Sequence, residues 1–185
     1  MGKSNFLFEG IKNFKEVGTL TRSSPAMCKK IASLIDSEND KIVIEIGAGD
    51  GVITKHLLKK LPKDGTLITF EINVNLCDLI REIDDDRLIV INKGAEHMQK
   101  SLSEMSIKRV DAVVSAIPFL VLPKKLASEI LKQCYSVLKS NGNYMQVHYA
   151  KKLRNFYHTV FGNITIHFIP VNLPPAYVFH CIKSV

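Results

Sequence analysis

An α/β fold built on a mainly parallel sheet, with helices on both faces, is predicted by three features of the 185-residue sequence. From Lys41 onward, β-branched runs alternate with amphipathic helical patterns, the order that lays parallel strands between helices. The run 43–58, VIEIGAGDGVITKHLL, passes from a strand through Gly47, Gly49 and Gly51 into a helix, which is how an α/β nucleotide-binding unit begins. Towards the end, ITIHFIP and AYVFHCI are separated only by VNLPP, too short a link for a crossover helix, so these two runs should pair antiparallel.

The elements follow in order. Residues 4–15 place Leu7, Ile11 and Phe14 at helical spacing with Phe8 beside them and Lys3, Lys12 and Lys15 at the flanks. Such a stripe packs on a core or lies on a membrane surface with its lysines near lipid phosphates. Ser24 and Pro25 read as the N-cap and first residue of a second helix, whose apolar face is Met27, Ile31, Leu34 and Ile35. The turn before it, 19–23, either closes over a cofactor or simply caps that helix. Strands are then expected at 42–46, 66–71, 87–91, 110–115 and 143–149, and helices at 52–61, 73–83, 122–139 and 151–160. Gly142 is placed to end the long helix.

Composition limits what such a chain does. A hydrophobic content of 46% with 23% charged residues is globular, and 185 residues suffice for one domain with a substantial core. The expectation is a single domain over 1–185, with 1–36 as an N-terminal helical extension. No apolar run approaches the ~20 residues of a membrane span. MGKSNFLFEG carries Glu9 and lacks the apolar stretch of a secretory leader, and Phe6 stands where N-myristoylation needs Ser or Thr. Cys28, Cys77, Cys134 and Cys181 are scattered within apolar patterns, so buried free thiols are expected, not metal ligands or disulfides, as in a reducing cytoplasm. The net charge of +7 favours an anionic partner, a lipid surface or a nucleic acid.

The glycine turn does not suit a dinucleotide. Its spacing is G-x-G-x-G, with Val52 where a Rossmann turn has its third glycine, and Glu45 and Asp50 would repel a pyrophosphate. S-adenosylmethionine (SAM) has no phosphate, and its ammonium and sulfonium suit carboxylates. Glu71, at the end of TLITFE, is placed to accept both ribose hydroxyls. E-I-G-A-G-D-G followed by a strand-terminal Glu resembles the class I SAM-dependent methyltransferases. That resemblance implies their Rossmann-like, seven-stranded sheet ending in an antiparallel hairpin. It also implies a cofactor site of Glu45, Gly47, Ala48, Gly49 and Gly51, with Glu71 and Ile72 at the ribose, Ala95 and Glu96 edging the adenine, and Ser115 after the fourth strand.

The acceptor side resembles known enzymes as well. In amino-group methyltransferases of nucleic acid, the loop after strand four reads Asn or Asp, then x-Pro-Tyr or Pro-Pro-Tyr. Here it reads Ser115-Ala116-Ile117-Pro118-Phe119, a serine replacing the amide and phenylalanine the tyrosine. Val17-Gly18-Thr19 with Ser23-Ser24, the loop 115–118, Gln146-Val147-His148-Tyr149, and Asn172-Leu173-Pro174-Pro175-Ala176 with Val178 are together similar to the small bacterial phosphatidylethanolamine N-methyltransferases. The departures are Arg22 for proline, Ala116 for glycine, Ile117 for leucine and His148 for threonine. The resemblance implies methyl transfer to a phospholipid amine by a protein peripheral to the inner membrane. It makes Ser115, Tyr149 and His148 the candidate catalytic residues and Ile117, Pro118 and Phe119 the substrate loop. An anionic membrane would be met through residues 3–15, and no metal is expected. The rRNA adenine dimethylases share the cofactor core, which keeps RNA as the second choice of acceptor, and a small molecule is open beside it. A SAM-binding protein without catalysis is the third reading.

Overall fold

A computed structural model describes residues 22–184; the segment 3–15 and residues 19–21 of the turn before the second predicted helix lie outside them. Six α-helices and seven strands make up the described residues. In chain order they are α1 (Pro25–Ala32), β1 (Ile42–Ile46), α2 (Val52–Lys60), β2 (Thr66–Phe70), α3 (Val74–Arg81), β3 (Leu88–Ile91), α4 (Met98–Glu104), β4 (Val110–Ser115), α5 (Lys124–Val137), β5 (Leu138–His148), α6 (Arg154–Phe161), β6 (Ile164–Ile169) and β7 (Ala176–Ile182).

The strands form one sheet in the order β3-β2-β1-β4-β5-β7-β6. Its first five members are mutually parallel, and β7 runs antiparallel between β5 and β6. The central strands are covered on both sides, which is why they read as β-branched runs without alternation. On one face Ile44, Ile46, Phe70, Val113 and Tyr144 pack against α4, α5 and α6. On the other, Val43, Leu67, Val114, Met145 and Val178 meet Met27 and Ile31 of α1 and Leu57 of α2. Burying each large side chain there contributes roughly 1.5–3 kcal/mol. All four cysteines are buried free thiols.

Helix α1 begins as its sequence predicts: Ser24 Oγ accepts from the Met27 N–H at 3.3 Å, and Pro25 occupies the first turn. The join between α5 and β5 differs from expectation. The helix ends at Val137 and the chain enters β5 directly at Leu138, so Gly142 lies inside a strand and caps nothing. The pairing of β4 with β5 jumps from Val110–Leu138 to Ala112–Asn143, a bulge in which Asn141 takes a φ of 61°. A Cβ on Gly142 would lie 2.9 Å from the Lys139 carbonyl oxygen and 3.0 Å from that of Asp111. The glycine is there for close backbone approach.

Candidate active site

The ends of β1, β2, β3 and β4 and the turns that follow them carry the predicted cofactor residues at one edge of the sheet. Gly47, Gly49 and Gly51 have φ of 75°, 60° and 77°, so the turn is built from left-handed conformations that glycine adopts without strain. Gly47 N–H donates to the Phe70 carbonyl at 2.8 Å, which locks the start of the turn to β2. A Cβ on Gly47 would lie 2.6 Å from Ile117 Cγ2, so the glycine turn and the predicted substrate loop are in direct contact.

Glu71 joins these parts. One carboxylate oxygen accepts from the Gly49 N–H at 2.9 Å and the other from the Asn73 N–H at 3.0 Å. Each oxygen retains a lone pair. Ile72 beside it is half-buried and packs on the core.

Glu45 is fully buried on β1. Its Oε2 accepts from Thr54 Oγ1 of α2 at 2.6 Å, while Oε1 has no hydrogen-bond partner among the described residues. Burial is the main cause that pushes its pKa up to about 8; the Thr54 hydroxyl opposes this, and the charges of Glu71 and Asp50 add to it. Asp50 itself is paired, its carboxylate 2.8 Å from Arg22 Nε.

After β3, Ala95 and Glu96 lie in a turn of 3-10 helix spanning Ala95–His97. Ala95 is buried, and the Glu96 side chain is only 7% exposed, folded against Gly94 with neither oxygen hydrogen-bonded among the described residues. The His97 ring Nε2 lies 3.7 Å from Glu96 Oε1.

At the end of β4, Ser115 lies in register between Ile46 of β1 and Gln146 of β5. Its hydroxyl is buried beside Tyr144 without a partner in hydrogen-bonding geometry. Gln146 is fully buried and braces the loop after β4: its Nε2 donates to the Ile117 carbonyl at 3.0 Å and to that of Val147 at 2.9 Å, and its Oε1 accepts from the Tyr144 hydroxyl at 2.7 Å. Phe119 is 2% exposed, its ring against Phe156 and edge-on to Tyr157. Pro118 is half-buried.

His148 and Tyr149 diverge. His148 points to the α6 face, buried, with Nε2 3.0 Å from the Tyr157 hydroxyl, and burial pushes its pKa down to about 4. Tyr149 follows the end of β5, half-buried against the opposite core.

Three connections had little or no trace in the sequence. Thr54 is nine residues from Glu45 and reads there as an ordinary helix position. Gln146 stands out only as a polar residue in an apolar strand. Asn172 reads as part of a rigid turn, yet it is buried: its Oδ1 accepts from the Ser24 N–H at 2.9 Å and its Nδ2 donates to the Pro174 carbonyl at 2.8 Å. A buried amide ties α1 to the β6–β7 link.

The glycine turn, strand-terminal Glu71, the unpartnered oxygens of Glu45 and Glu96, and the strand order fit a site for SAM. Residues 43–142 match the family described as methyltransferase domain. The chain belongs to the SAM-dependent methyltransferases. It is similar to the ornithine lipid N-methyltransferase of Singulisphaera acidiphila, with 30% identity over 184 residues covering 97% of this chain and 96% of that one. Similarity to the ribosomal RNA small subunit methyltransferase A of Thermotoga neapolitana is 33% over 73 residues, 40% of this chain and 27% of that one. Among solved structures, the O-methyltransferase from Bacillus cereus in complex with SAH shares the fold, with a TM-score of 0.69 at 14% identity over 97% of this chain and 91% of that one. Among the described residues, no group of three or more His, Cys, Asp or Glu side chains is placed to hold a metal ion, and no helix is long and apolar enough to cross a membrane.

Proposed function

We propose that this methyltransferase acts on the amine of an amphipathic lipid headgroup, of the phosphatidylethanolamine or ornithine-lipid type, as a single-domain protein peripheral to the inner membrane. The observation that carries this reading is the burial of Phe119. An enzyme that methylates a nucleobase needs a ring free to stack on the base, and here that ring is 2% exposed and held by Phe156 and Tyr157. Similarity along nearly the whole length of an ornithine lipid N-methyltransferase supports the same conclusion.

The residues divide the work. Glu45, Gly47, Ala48, Gly49 and Gly51 would hold the amino-acid end of SAM, Glu71 and Ile72 the ribose, Ala95 and Glu96 the adenine, with Ser115 at the boundary with the acceptor. Bound SAM supplies an electrophilic methyl group on its sulfonium. The protein must bring an unprotonated amine in line with it, and orientation of this kind contributes about 7–11 kcal/mol to the rate. Pro118, half-buried, lines the approach, and Ile117, 3% exposed, packs against the glycine turn with its carbonyl held by Gln146. Tyr149 orients the amine, and Ser115, fully buried at the end of β4, supports the acceptor side from behind. His148, buried and bonded to Tyr157, supports the loop from behind, because a ring with a pKa near 4 is a weak base at neutral pH.

Incubation with methyl-labelled SAM, and with either amine-lipid vesicles or total RNA, tests the assignment. Label should appear in the lipid extract. Label in RNA alone would exclude the lipid reading.

A further inference from the structure

Charge is divided along the chain at Asp111. Up to that residue, seventeen Lys and Arg are matched by seventeen Asp and Glu; beyond it, eight stand against a single acid, Glu129. The whole excess of +7 therefore belongs to the acceptor half.

The topology gathers much of it at one edge. Strands β4, β5 and β6 run in the same direction, so the links leaving them, 116–123, 149–153 and 170–175, open on the edge that carries the glycine turn. Lys124 and Lys125 start α5, Lys151 and Lys152 lie in the second link, and Arg154 starts α6; all five are exposed. Lys151 reaches across to the third link's strand, its Nζ 5.1 Å from the centre of the Tyr177 ring. Among these cations stand exposed apolar side chains, Leu120 at 43%, Val171 at 70% and Leu173 at 79%.

We propose that this edge is a docking face for an anionic lipid bilayer, a reading that rests on the amine-lipid function above. The cations meet lipid phosphates while Leu120, Val171 and Leu173 enter the boundary between headgroups and acyl chains. A lipid amine then reaches the Ser115–Phe119 loop without leaving the bilayer. Ser24, at the start of α1, donates its N–H to Asn172 in the third link, so α1 is tied to this same edge. Nucleic acid also attracts cations, but single-stranded grips stack bases on aromatic rings. Here the link tips are aliphatic, Phe119 is buried, and Phe168, a 54% exposed ring beside the third link, is stacked on Tyr177 at 5.1 Å, with Lys151 over the Tyr177 ring.

The test is co-sedimentation of the full chain with vesicles of phosphatidylglycerol and phosphatidylcholine. The triple variant Lys125→Glu, Lys152→Glu, Arg154→Glu should bind at least about a hundredfold more weakly than the parent, and Val171→Asp about tenfold. Lys108→Glu with Arg109→Glu, on the link that enters β4 at the opposite edge, should bind as the parent does. An unchanged melting temperature and SAM affinity certify each fold. Equal loss in the patch and control variants, retained vesicle binding in the triple variant, or patch variants that lose only binding to structured RNA would overturn the proposal. Methyl transfer to an amine lipid in neutral detergent micelles is read separately. Its absence in the parent refutes the amine-lipid function, whereas vesicle binding alone decides the docking face.

Discussion

Glu71 Oε2 accepts the backbone N–H of Gly49 at 2.9 Å, so the residue expected to hold the ribose also braces the turn expected to hold the rest of SAM. Its second oxygen serves Asn73 in the same way. Removing the carboxylate would lose the expected ribose contacts and loosen the turn together. Charge-assisted bonds are worth about 1.5–3 kcal/mol each, so Glu71→Ala should weaken SAM binding by about tenfold or more. Calorimetry on the folded variant measures this, and unchanged affinity would remove Glu71 from the site.

Glu45 makes stability depend on pH. Its folded pKa is raised from 4.5 to about 8, so between those values the folded protein holds a proton that the unfolded chain releases, and stability falls as pH rises. Below about 6.5 the trend is opposed by His148, whose depressed pKa near 4 makes folding release a proton, and by His167 and His180, shifted the same way. The unfolded histidines still release protons just above pH 6.5, so the comparison with Glu45→Gln isolates Glu45. From pH 6.5 to 8 the cofactor-free parent should lose about 2 kcal/mol of stability relative to Glu45→Gln, whose own stability should not fall. Saturating SAM should reduce the parent's slope, since a cation beside the carboxylate lowers its pKa. Urea unfolding across that interval checks all three outcomes.

Gln146 should matter to both stability and turnover. Gln146→Ala strands the Ile117 carbonyl and the Tyr144 hydroxyl in the core, at a cost of about 1–3 kcal/mol for each buried group left unsatisfied. Turnover should fall through displacement of the substrate loop while SAM affinity changes little. A variant with parental turnover would show that the loop holds its position without this brace.

Tyr149→Phe removes one hydroxyl at the end of β5. If that hydroxyl orients the acceptor, turnover on a lipid amine should fall with SAM affinity nearly intact. Steady-state rates paired with calorimetry separate this from a packing role, in which turnover would not change.

The glycine turn and its strand-terminal acid were legible because their signals are local. A β-branched run, three glycines and a strand-terminal acid lie within thirty residues, and each sits where backbone chemistry requires it. The short VNLPP link likewise dictated the hairpin. What stayed hidden depends on residues far apart in sequence. The partners Thr54–Glu45, Gln146–Ile117, Asn172–Ser24 and His148–Tyr157 are set by strand order and face. Gly142 misled because a glycine after a helix pattern reads as a cap, and a bulge that opposes Asp111 looks the same in one dimension. Phe119 was expected at the substrate, and its burial follows from aromatic packing by α6, which the loop's own sequence does not contain.

The most direct test of the account is the identity of the methylated product. Purified protein would be incubated with SAM and mixed vesicles containing both phosphatidylethanolamine and an ornithine lipid, and the lipids analysed by mass spectrometry. The account predicts methylene increments on the headgroup amine of at least one of the two, absent when Glu71→Ala replaces the parent. Unmodified lipids, together with SAM consumption on RNA or on a small molecule, would contradict it.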